Sequence, residues 1–178
     1  MTNEIIISGF GGQGVMAIGK TITEAGMKEG MEVSWLPSYG PEMRGGTANC
    51  SVVLSDEPIV SPIVLEPTEL IAMNLPSLLK FESVVKPGGT IFVNSSVVDQ
   101  KVQRTDVKAV YVDCIKIADE LGNSKVANMV MLGAYIEAMK NLSTDTIKEM
   151  LVHMFTGPKA KLVDLNIEAL KRGAACVK

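Results

Sequence analysis

The sequence has too few cysteines and histidines for several common kinds of site. Its three cysteines, Cys50, Cys114 and Cys176, are far apart and form no C-x-x-C pair. The chain alone therefore offers no iron–sulfur cluster, zinc site or disulfide framework, and we expect three buried free thiols in a reducing cytosol. His153 is the only histidine, and no Ser or Cys nucleophile motif accompanies it. We interpret it as a helix residue and not as a catalytic base.

The chain also lacks the features of membrane and nucleic-acid-binding proteins. No apolar run approaches the length of about 20 residues that a spanning helix needs, and no basic leader precedes the first strand. A net charge of -3 gives no electrostatic reason to bind DNA or RNA. We therefore predict a soluble, cytoplasmic protein with no membrane or nucleic-acid partner. Its length of 178 residues suits a single domain spanning residues 1–178.

What the chain does have is a glycine-rich loop near its start. The run Ile5-Ile6-Ile7 leads into Gly9-Phe10-Gly11-Gly12-Gln13-Gly14, where a helical pattern begins. A strand, a glycine loop and a helix in this order present backbone N–H groups and a positive helix end to an anion. We predict that five residues of this loop bind a phosphate or another anion: Gly9, Gly11, Gly12, Gln13 and Gly14. The alternative is a glycine turn that only packs the helix against the sheet.

The same glycine spacing occurs in dinucleotide-binding proteins, but the residue that would hold the ribose is missing. That fingerprint requires an acidic residue about 20 residues later, at the end of the second strand. Here the second strand is predicted to span 32–36 and to stop at Pro37, and its end carries no carboxylate. Glu32 stands at the start of the strand, which is the wrong end for a ligand. We therefore do not expect NAD to bind.

A second candidate loop, residues 38–46, follows the second strand. Arg44 and the glycine after it combine a permanent cation with flexible backbone N–H groups, which suits a phosphate or a carboxylate. Glu42 either pairs with Arg44 locally or meets a ligand or a basic group of a partner. Tyr39 could supply a hydroxyl group or a stacking face, or could pack over the glycine loop. The predicted site therefore includes five residues from this loop: Ser38, Tyr39, Glu42, Arg44 and Gly45.

The rest of the sequence predicts an α/β fold with most helices late in the chain. Further strands are expected at 47–54, 70–73, 90–94 and 107–112, with an edge strand at 59–64. Helices are expected at 14–30, with the stripe from Val15 to Ala25 on one face, and at 74–83, with Asn74 as the cap. Four more are expected at 115–121, 125–140, 144–155 and 164–172, and the helix at 125–140 is apolar nearly all round, so that it is either deeply packed or covered by another subunit. This order predicts a three-layer, mostly parallel, Rossmann-like sheet with helices on both faces and a helix-rich C-terminal third. Because ligands of such sheets lie beyond the carboxyl ends of the strands, both loops are expected beside one crevice.

Together, the two loop motifs resemble the gamma subunit of 2-oxoacid:ferredoxin oxidoreductases. The likeness continues through the third strand and the turn Lys86-Pro87-Gly88-Gly89, and it covers most of the chain. The family implies a heteromeric enzyme that decarboxylates a 2-oxoacid on thiamine diphosphate and passes electrons through iron–sulfur clusters to ferredoxin. It transfers the acyl group to coenzyme A. Among the branches, the chain is most similar to the 2-oxoglutarate type, and the pyruvate, branched-chain and indolepyruvate enzymes have similar subunits.

The resemblance implies that this chain is the subunit without a redox centre. It has neither clustered cysteines nor a G-D-G-type thiamine motif, so thiamine diphosphate, Mg and the clusters are expected on alpha, beta and possibly delta partner subunits. The isolated chain is expected to be inactive, with no catalytic residue and no metal, and able to form a homodimer. Coenzyme A phosphates are expected at the two loops, and ferredoxin contacts the chain only indirectly. The alternatives are a purely structural assembly subunit and a free-standing nucleotide-binding oxidoreductase.

Overall fold

The computed structural model describes residues 1–39 and 47–177, which contain a six-stranded sheet. The strands are β1 (Thr2–Phe10), β2 (Glu32–Tyr39), β3 (Thr47–Ser55), β4 (Glu69–Ala72), β5 (Thr90–Asn94) and β6 (Lys108–Val112), in the order β2-β3-β1-β4-β5-β6. Strands β1, β4, β5 and β6 are parallel, whereas β3 runs antiparallel to both of its neighbours. The predicted α/β class with a mostly parallel sheet is confirmed.

Helices cover both faces of the sheet, but unequally. They are α1 (Val15–Lys28), α2 (Leu75–Phe81), α3 (Cys114–Glu120), α4 (Ala127–Met139), α5 (Thr144–Met154) and α6 (Leu162–Ala175). One face packs against α1 and against α3 to α6, while the other packs against α2 and the irregular chain between β3 and β4. The three layers and the helix-rich C-terminal third are therefore as predicted. No helix in the described ranges is long and apolar enough to cross a membrane.

Local sequence explains where the two helices nearest the glycine loop begin and how they pack. Helix α1 buries the stripe Val15, Ile18, Ile22 and Ala25, which recurs at helical spacing and faces the sheet. Helix α2 is capped by Asn74, whose side-chain oxygen accepts a hydrogen bond of 2.9 Å from the Ser77 N–H. The predicted inward stripe and the predicted cap are both present.

Helix α4 is buried around its whole circumference over residues 129–136. It crosses α6 at backbone contact, since a Cβ on Gly133 would lie 2.0 Å from the Leu170 carbonyl oxygen and one on Gly173 would lie 1.8 Å from the Val130 carbonyl oxygen. The apolar pattern of this segment left open whether it is deeply packed or covered by another subunit. The other helices of the chain and the sheet cover it.

Three local predictions are wrong. Strand β2 does not stop at Pro37 but continues to Tyr39, because β2 is an edge strand and a proline without an N–H is tolerated there. Residues 59–64 form no strand, because Pro62 interrupts the segment and the two edge positions of the sheet are taken by β2 and β6. Cys176 is exposed near the end of the chain, whereas Cys50 and Cys114 are buried as predicted.

Candidate functional site

A cleft of about 460 Å³ opens at the carboxyl ends of β1, β4 and β5. Helix α1, which follows β1, packs on one face of the sheet, and α2, which follows the adjacent strand β4, packs on the other. The cleft therefore lies at a topological switch point, where α/β sheets bind their ligands. Its lining comes from the glycine loop, the strand ends and the start of α4: Gly12, Gln13, Gly14, Met73, Asn94, Ile115, Ser124, Lys125, Ala127 and Asn128.

Hydrogen bonds of two side-chain amides, those of Gln13 and Asn94, support the floor of the cleft. Gln13 Oε1 accepts a hydrogen bond of 2.7 Å from the Phe10 N–H, and Gln13 Nε2 donates one of 2.9 Å to the Met73 carbonyl oxygen. The same carbonyl accepts a bond of 3.3 Å from Nδ2 of the fully buried Asn94. These three bonds tie the glycine loop to the ends of β4 and β5. Gln13 therefore acts first as a support for the loop.

Two of the loop glycines are required for different reasons. Gly12 has a φ of 92°, and a Cβ there would meet nothing within 4 Å, so its left-handed backbone conformation is what favours glycine. Gly14, with a φ of 77°, also meets α4, because a Cβ there would lie 2.7 Å from the Asn128 side chain. The close contact at Gly14 is therefore between two helices, whereas the alternative explanation of the motif was packing of the helix against the sheet.

The electrostatics of the cleft favour an anion. Helices α1 and α4 both begin at its wall, with no side-chain cap on their N-cap residues and no acidic residue in their first turns. Both helix starts carry partial positive charge. The first N–H groups of α1 have no side-chain partner, whereas at the start of α4 the Ala127 N–H donates to the Ser124 carbonyl oxygen and the Met129 N–H to Asn128 Oδ1. Lys125 is the only charged residue among the described residues that line the cleft, and it is exposed. It forms no ion pair with any carboxylate of residues 1–39 and 47–177.

A second cavity of about 390 Å³ adjoins the first and is mostly apolar. It lies between α1, α4, α5 and α6, and it shares Lys125 and Asn128 with the cleft. Lys20 of α1 also lines it. The two spaces together can take an elongated ligand that carries anionic groups at one end and less polar groups at the other.

The described part of the chain brings together only some of the predicted site residues. Gly12, Gln13 and Gly14 line the cleft, and Gly11 is exposed beside it. Gly9 is buried beneath the loop, where a Cβ would lie 2.7 Å from Gln13 Oε1 and 2.8 Å from Met73 Cβ. Ser38 and Tyr39 lie at the end of β2, two strands or about 10 Å from β1, and are exposed. Three predicted site residues lie outside the described residues: Glu42, Arg44 and Gly45.

The strands that precede the two candidate loops end at the same edge of the sheet. Phe10 pairs with Thr47 and Tyr39 pairs with Ala48, so β1 and β2 end where β3 begins. The expectation that both loops lie beside one crevice stays a prediction, because residues 40–46 lie outside the described residues. Tyr39 is 57% exposed and does not pack over the glycine loop.

Sequence reasoning missed seven of the ten lining residues, among them Asn94, Lys125 and Asn128. Asn94 was predicted only as the last residue of a strand, although the carboxyl end of a parallel strand is where polar ligands are expected. Lys125 and Asn128 belong to the helical third of the chain, and their approach to Gly14 depends on how α4 packs. No local signal indicates that contact.

The cleft is equipped to bind an anion and not to transfer protons. None of its described lining residues is a carboxylate, histidine or cysteine. Burial raises the pKa of Cys50 to about 11, and burial also raises the pKa of Cys114. Both thiols therefore stay protonated at neutral pH and are poor nucleophiles. Within residues 1–39 and 47–177, no group of three or more His, Cys, Asp and Glu side chains is arranged to hold a metal ion.

Fold and cleft together define an α/β domain with a cleft at the topological switch point of its sheet. The chain belongs to the pyruvate ferredoxin/flavodoxin oxidoreductase family, whose sequence profile matches residues 4–176. It is 38% identical to the ketoisovalerate oxidoreductase subunit VorA of Methanothermobacter marburgensis over 169 residues, which are 94% of this chain and 35% of VorA. The chain thus spans about a third of that relative's length.

Two solved structures resemble the chain throughout. The gamma subunit of a keto/oxoacid ferredoxin oxidoreductase from Geobacter sulfurreducens has a TM-score of 0.82 at 28% identity and is matched over 98% of both chains. The 2-oxoglutarate:ferredoxin oxidoreductase from Magnetococcus marinus, solved with 2-oxoglutarate, coenzyme A and succinyl-CoA bound, has a TM-score of 0.89 at 26% identity. That match covers 99% of this chain and 31% of the other. The resemblance to gamma subunits that the loop motifs indicated is confirmed.

Proposed function

We propose that this chain is the gamma subunit of a heteromeric 2-oxoacid:ferredoxin oxidoreductase and that its cleft binds the phosphates of coenzyme A. The complete enzyme converts a 2-oxoacid, coenzyme A and oxidised ferredoxin into acyl-CoA, CO₂ and reduced ferredoxin. The observation that carries the proposal is the uncapped start of α1 at the end of a strand and glycine loop, beside the start of α4 and an exposed Lys125 that pairs with none of the described carboxylates. Family membership and the coenzyme A bound to the Magnetococcus relative support it.

The geometry of the two cavities matches the chemistry of this ligand. Coenzyme A is the one large, mobile polyanion of the reaction, and it combines a phosphate-rich end with a long, less polar arm. The cleft supplies backbone N–H groups and Lys125 to phosphate oxygens, which are charge-assisted contacts. The adjoining apolar cavity leaves space for a part of the ligand without charge. Arg44 and Gly45 of the 38–46 loop remain predicted contributors to the same binding site.

The redox chemistry belongs to other subunits in this proposal. Thiamine diphosphate and its Mg, together with the iron–sulfur clusters, bind to the alpha and beta subunits and possibly to a delta subunit. Ferredoxin receives its electrons there and does not contact this chain directly. Relatives named for ketoisovalerate and for 2-oxoglutarate both match the chain, and we propose a 2-oxoglutarate-type substrate on the strength of the loop motifs.

Replacement of Lys125 in the reconstituted holoenzyme tests the coenzyme A site. Lys125→Ala removes one charge-assisted contact to phosphate, so we expect the apparent KM for coenzyme A to rise by about tenfold. The KM for the 2-oxoacid should stay unchanged, because no acid substrate meets this residue. Steady-state kinetics with each substrate varied in turn gives both values.

Lys108→Ala is the matched control for Lys125→Ala. Lys108 is exposed like Lys125, but it lies at the amino end of β6, at the opposite edge of the sheet. This variant should leave the KM for coenzyme A unchanged. Equal KM values in both variants and in the wild type would contradict the proposed coenzyme A site.

The rival function is a purely structural assembly subunit, and the tight packing at Gly9 and Gly14 favours it. A Cβ at either position would meet neighbouring side chains at 2.7 Å, so these glycines are needed for packing whether or not a ligand binds. In that case Lys125→Ala and Arg44→Ala would weaken subunit association, or change nothing, without altering the coenzyme A dependence. Measuring both the assembly and the coenzyme A dependence separates the two functions. A free-standing oxidoreductase would instead require the isolated chain to bind NAD(P) or flavin, which titration would detect.

A further inference from the structure

An exposed apolar segment, residues 58–65, lies between β3 and β4 and is remote from the cleft. It reads Pro-Ile-Val-Ser-Pro-Ile-Val-Leu and contains no charged residue. Val60 is 100% exposed, Leu65 76% and Ile63 58%. Single apolar side chains on a surface are ordinary, but three in six consecutive residues form a contiguous patch of the kind that marks an interaction site.

The segment is held on the sheet by two of its own side chains. Val64 is buried, and Ile59 is partly buried, in the apolar cluster that includes Val53 and Leu70. These anchors fix the segment on the sheet face that carries α2, opposite to α1 and α4. With Ile59 and Val64 packed on the sheet, the side chains of Val60, Ile63 and Leu65 face solvent. A protein that functioned alone would have no use for this arrangement.

The position of the segment keeps it apart from the coenzyme A site. Thr2 pairs with Ser55 and Ile5 pairs with Glu69, so the chain between β3 and β4 leaves and re-enters the sheet at the amino-terminal edge of β1. The cleft opens at the carboxyl edge. A partner bound to the segment would leave the cleft open to a mobile ligand.

The relatives indicate what covers the segment. The same fold is a complete chain in the Geobacter gamma subunit, but only 35% of VorA and 31% of the Magnetococcus chain. In the longer relatives the domain is covalently joined to a polypeptide about twice its own size. A domain that exists in both forms must have a surface that associates with that polypeptide when the two are separate.

Charge argues against a second copy of this chain as the occupant. Glu57 precedes the segment and Glu66 follows it, while Asp56 pairs with the Met1 ammonium group, so two exposed carboxylates flank the apolar patch. In a symmetric dimer the same patch meets itself, which brings like charges together. A partner with an apolar centre and basic residues around it fits better.

We propose that residues 58–65 form the docking surface for the oxidoreductase polypeptide that corresponds to the remaining two thirds of VorA. This inference rests on the proposed function only in taking the chain to be one subunit of that complex. The docked surface of the partner is apolar, with lysine or arginine at its rim. Val60, Ile63 and Leu65 are the anchor residues of the interface, and Glu57 and Glu66 pair with the basic rim.

The test measures the affinity of this chain for that partner polypeptide, purified separately, by calorimetry or interferometry. Val60→Asp/Leu65→Asp places two charges in the centre of the patch, and we expect the Kd to rise by about tenfold or more. Because both side chains are exposed, the melting temperature of the isolated chain should not fall. Val152→Asp is the matched control, since Val152 is 54% exposed on α5 at the opposite face. It should leave the Kd unchanged.

Several outcomes would overturn the proposal. An unchanged Kd, or an equal increase for Val152→Asp, would show that the segment is not the docking surface. If light scattering finds that the isolated wild type is a dimer and the double variant a monomer, with an unchanged Kd for the partner, a second copy occupies the patch. Should the double variant fail to fold, Val60→Ser repeats the measurement with a milder change.

Failure of the docking surface and failure of the proposed function are distinguishable. Lys125→Ala should keep its affinity for the partner, while the docking variant should keep its coenzyme A dependence once the partner is supplied at saturating concentration. If the wild type itself does not bind the partner polypeptide, the proposed function fails. If the wild type binds and the docking variant binds equally well, only the docking surface fails.

Discussion

The polar groups at the amino ends of the parallel strands, here called the amino edge, are paired differently from those at the carboxyl ends, the carboxyl edge. At the amino edge, Asn3 Nδ2 donates a hydrogen bond of 2.9 Å to Oε1 of the buried Glu69. Lys86 pairs with Glu4, whose N–H donates a bond of 2.8 Å to the Thr68 hydroxyl. At the carboxyl edge, by contrast, two helices begin without side-chain caps and Lys125 has no acidic partner among the described residues.

This difference indicates that the amino edge contributes to stability and the carboxyl edge to ligand binding. At the amino edge, these bonds and the ion pair hold β1 to β4 and to the turn before β5, although Asn3 Oδ1 and Glu69 Oε2 are buried with no hydrogen-bond partner among the described residues. At the carboxyl edge, the side-chain amides support the cleft, while the first turn of α1 and Lys125 are left for a ligand, which favours an anion. Changes at the carboxyl edge should therefore alter ligand binding, while changes at the amino edge should alter only stability and its pH dependence.

Gly14→Ala should give the largest effect, because it alters the carboxyl edge in two ways. A left-handed backbone costs a non-glycine residue about 1–2 kcal/mol, and the new Cβ would press against Asn128 at 2.7 Å, which costs about 1–3 kcal/mol more. We expect the free energy of unfolding to fall by about 2–5 kcal/mol. Chemical denaturation of the isolated chain measures it. The holoenzyme should also need more coenzyme A, because the start of α1 moves.

Gly30→Ala is the matched control for Gly14→Ala. Gly30 has a φ of 79°, close to that of Gly14, but a Cβ there would meet nothing within 4 Å. The free energy of unfolding of Gly30→Ala should fall only by the cost of the left-handed backbone, about 1–2 kcal/mol, and its coenzyme A kinetics should be unchanged. Equal losses of stability at the two positions would mean that the contact between Gly14 and Asn128 does not matter.

The buried Glu69 makes the amino edge sensitive to pH. Burial raises the pKa of Glu69 above its ordinary value of 4.5, and the hydrogen bonds from Asn3 and Thr68 and the charge of Lys86 oppose this only in part. Between the ordinary and the raised value the folded chain binds more protons than the unfolded chain, so stability falls as pH rises from 4.5 upward. Each unit of the raised pKa corresponds to about 1.4 kcal/mol.

Glu69→Gln removes this titration while it keeps the size of the side chain. The variant should show a flatter dependence of unfolding free energy on pH above 4.5 than the wild type. Denaturation series at several pH values give both curves. Since the cleft lies at the other edge, the KM for coenzyme A should not change. Parallel pH curves for the two proteins would refute the assignment of this pH dependence to Glu69.

Most of the fold could be predicted because its signals are local. The β-branched run before the glycines, the stripe from Val15 to Ala25 and the Asn74 cap each lie within one element, and each was recognised. The end of β2 was not, because a proline stops a central strand but not an edge strand, and edge position is decided by the whole sheet. The prediction of a strand at 59–64 was wrong for a related reason, because an apolar run alone does not indicate whether the sheet has a position for another strand.

Only part of the candidate site could be predicted from the sequence. The glycine loop is recognisable from its composition, and Gly12, Gln13 and Gly14 were therefore predicted. Lys125 and Asn128 reach the cleft only because α4 packs against the start of α1, and that contact spans more than a hundred residues of sequence. The supporting role of Gln13 was also hidden, since it depends on the position of the Met73 carbonyl at the end of another strand. Side chains that complete a site from a distant element give no local pattern.

The smallest effect is expected from Lys86→Met at the amino edge. The pair of Lys86 and Glu4 is partly exposed, with side chains 41% and 28% accessible, so its loss should lower the free energy of unfolding by about 1 kcal/mol or less. The loss should shrink further as salt is added, because screening weakens a partly exposed pair in the wild type. The positive charge of Lys86 also lowers the pKa of the nearby Glu69. Its removal should therefore extend the pH-dependent loss of stability to higher pH, and the double variant with Glu69→Gln should lose that extension. A variant that shifts the pH curve even without the Glu69 carboxylate would show that another group carries the pH dependence of this edge.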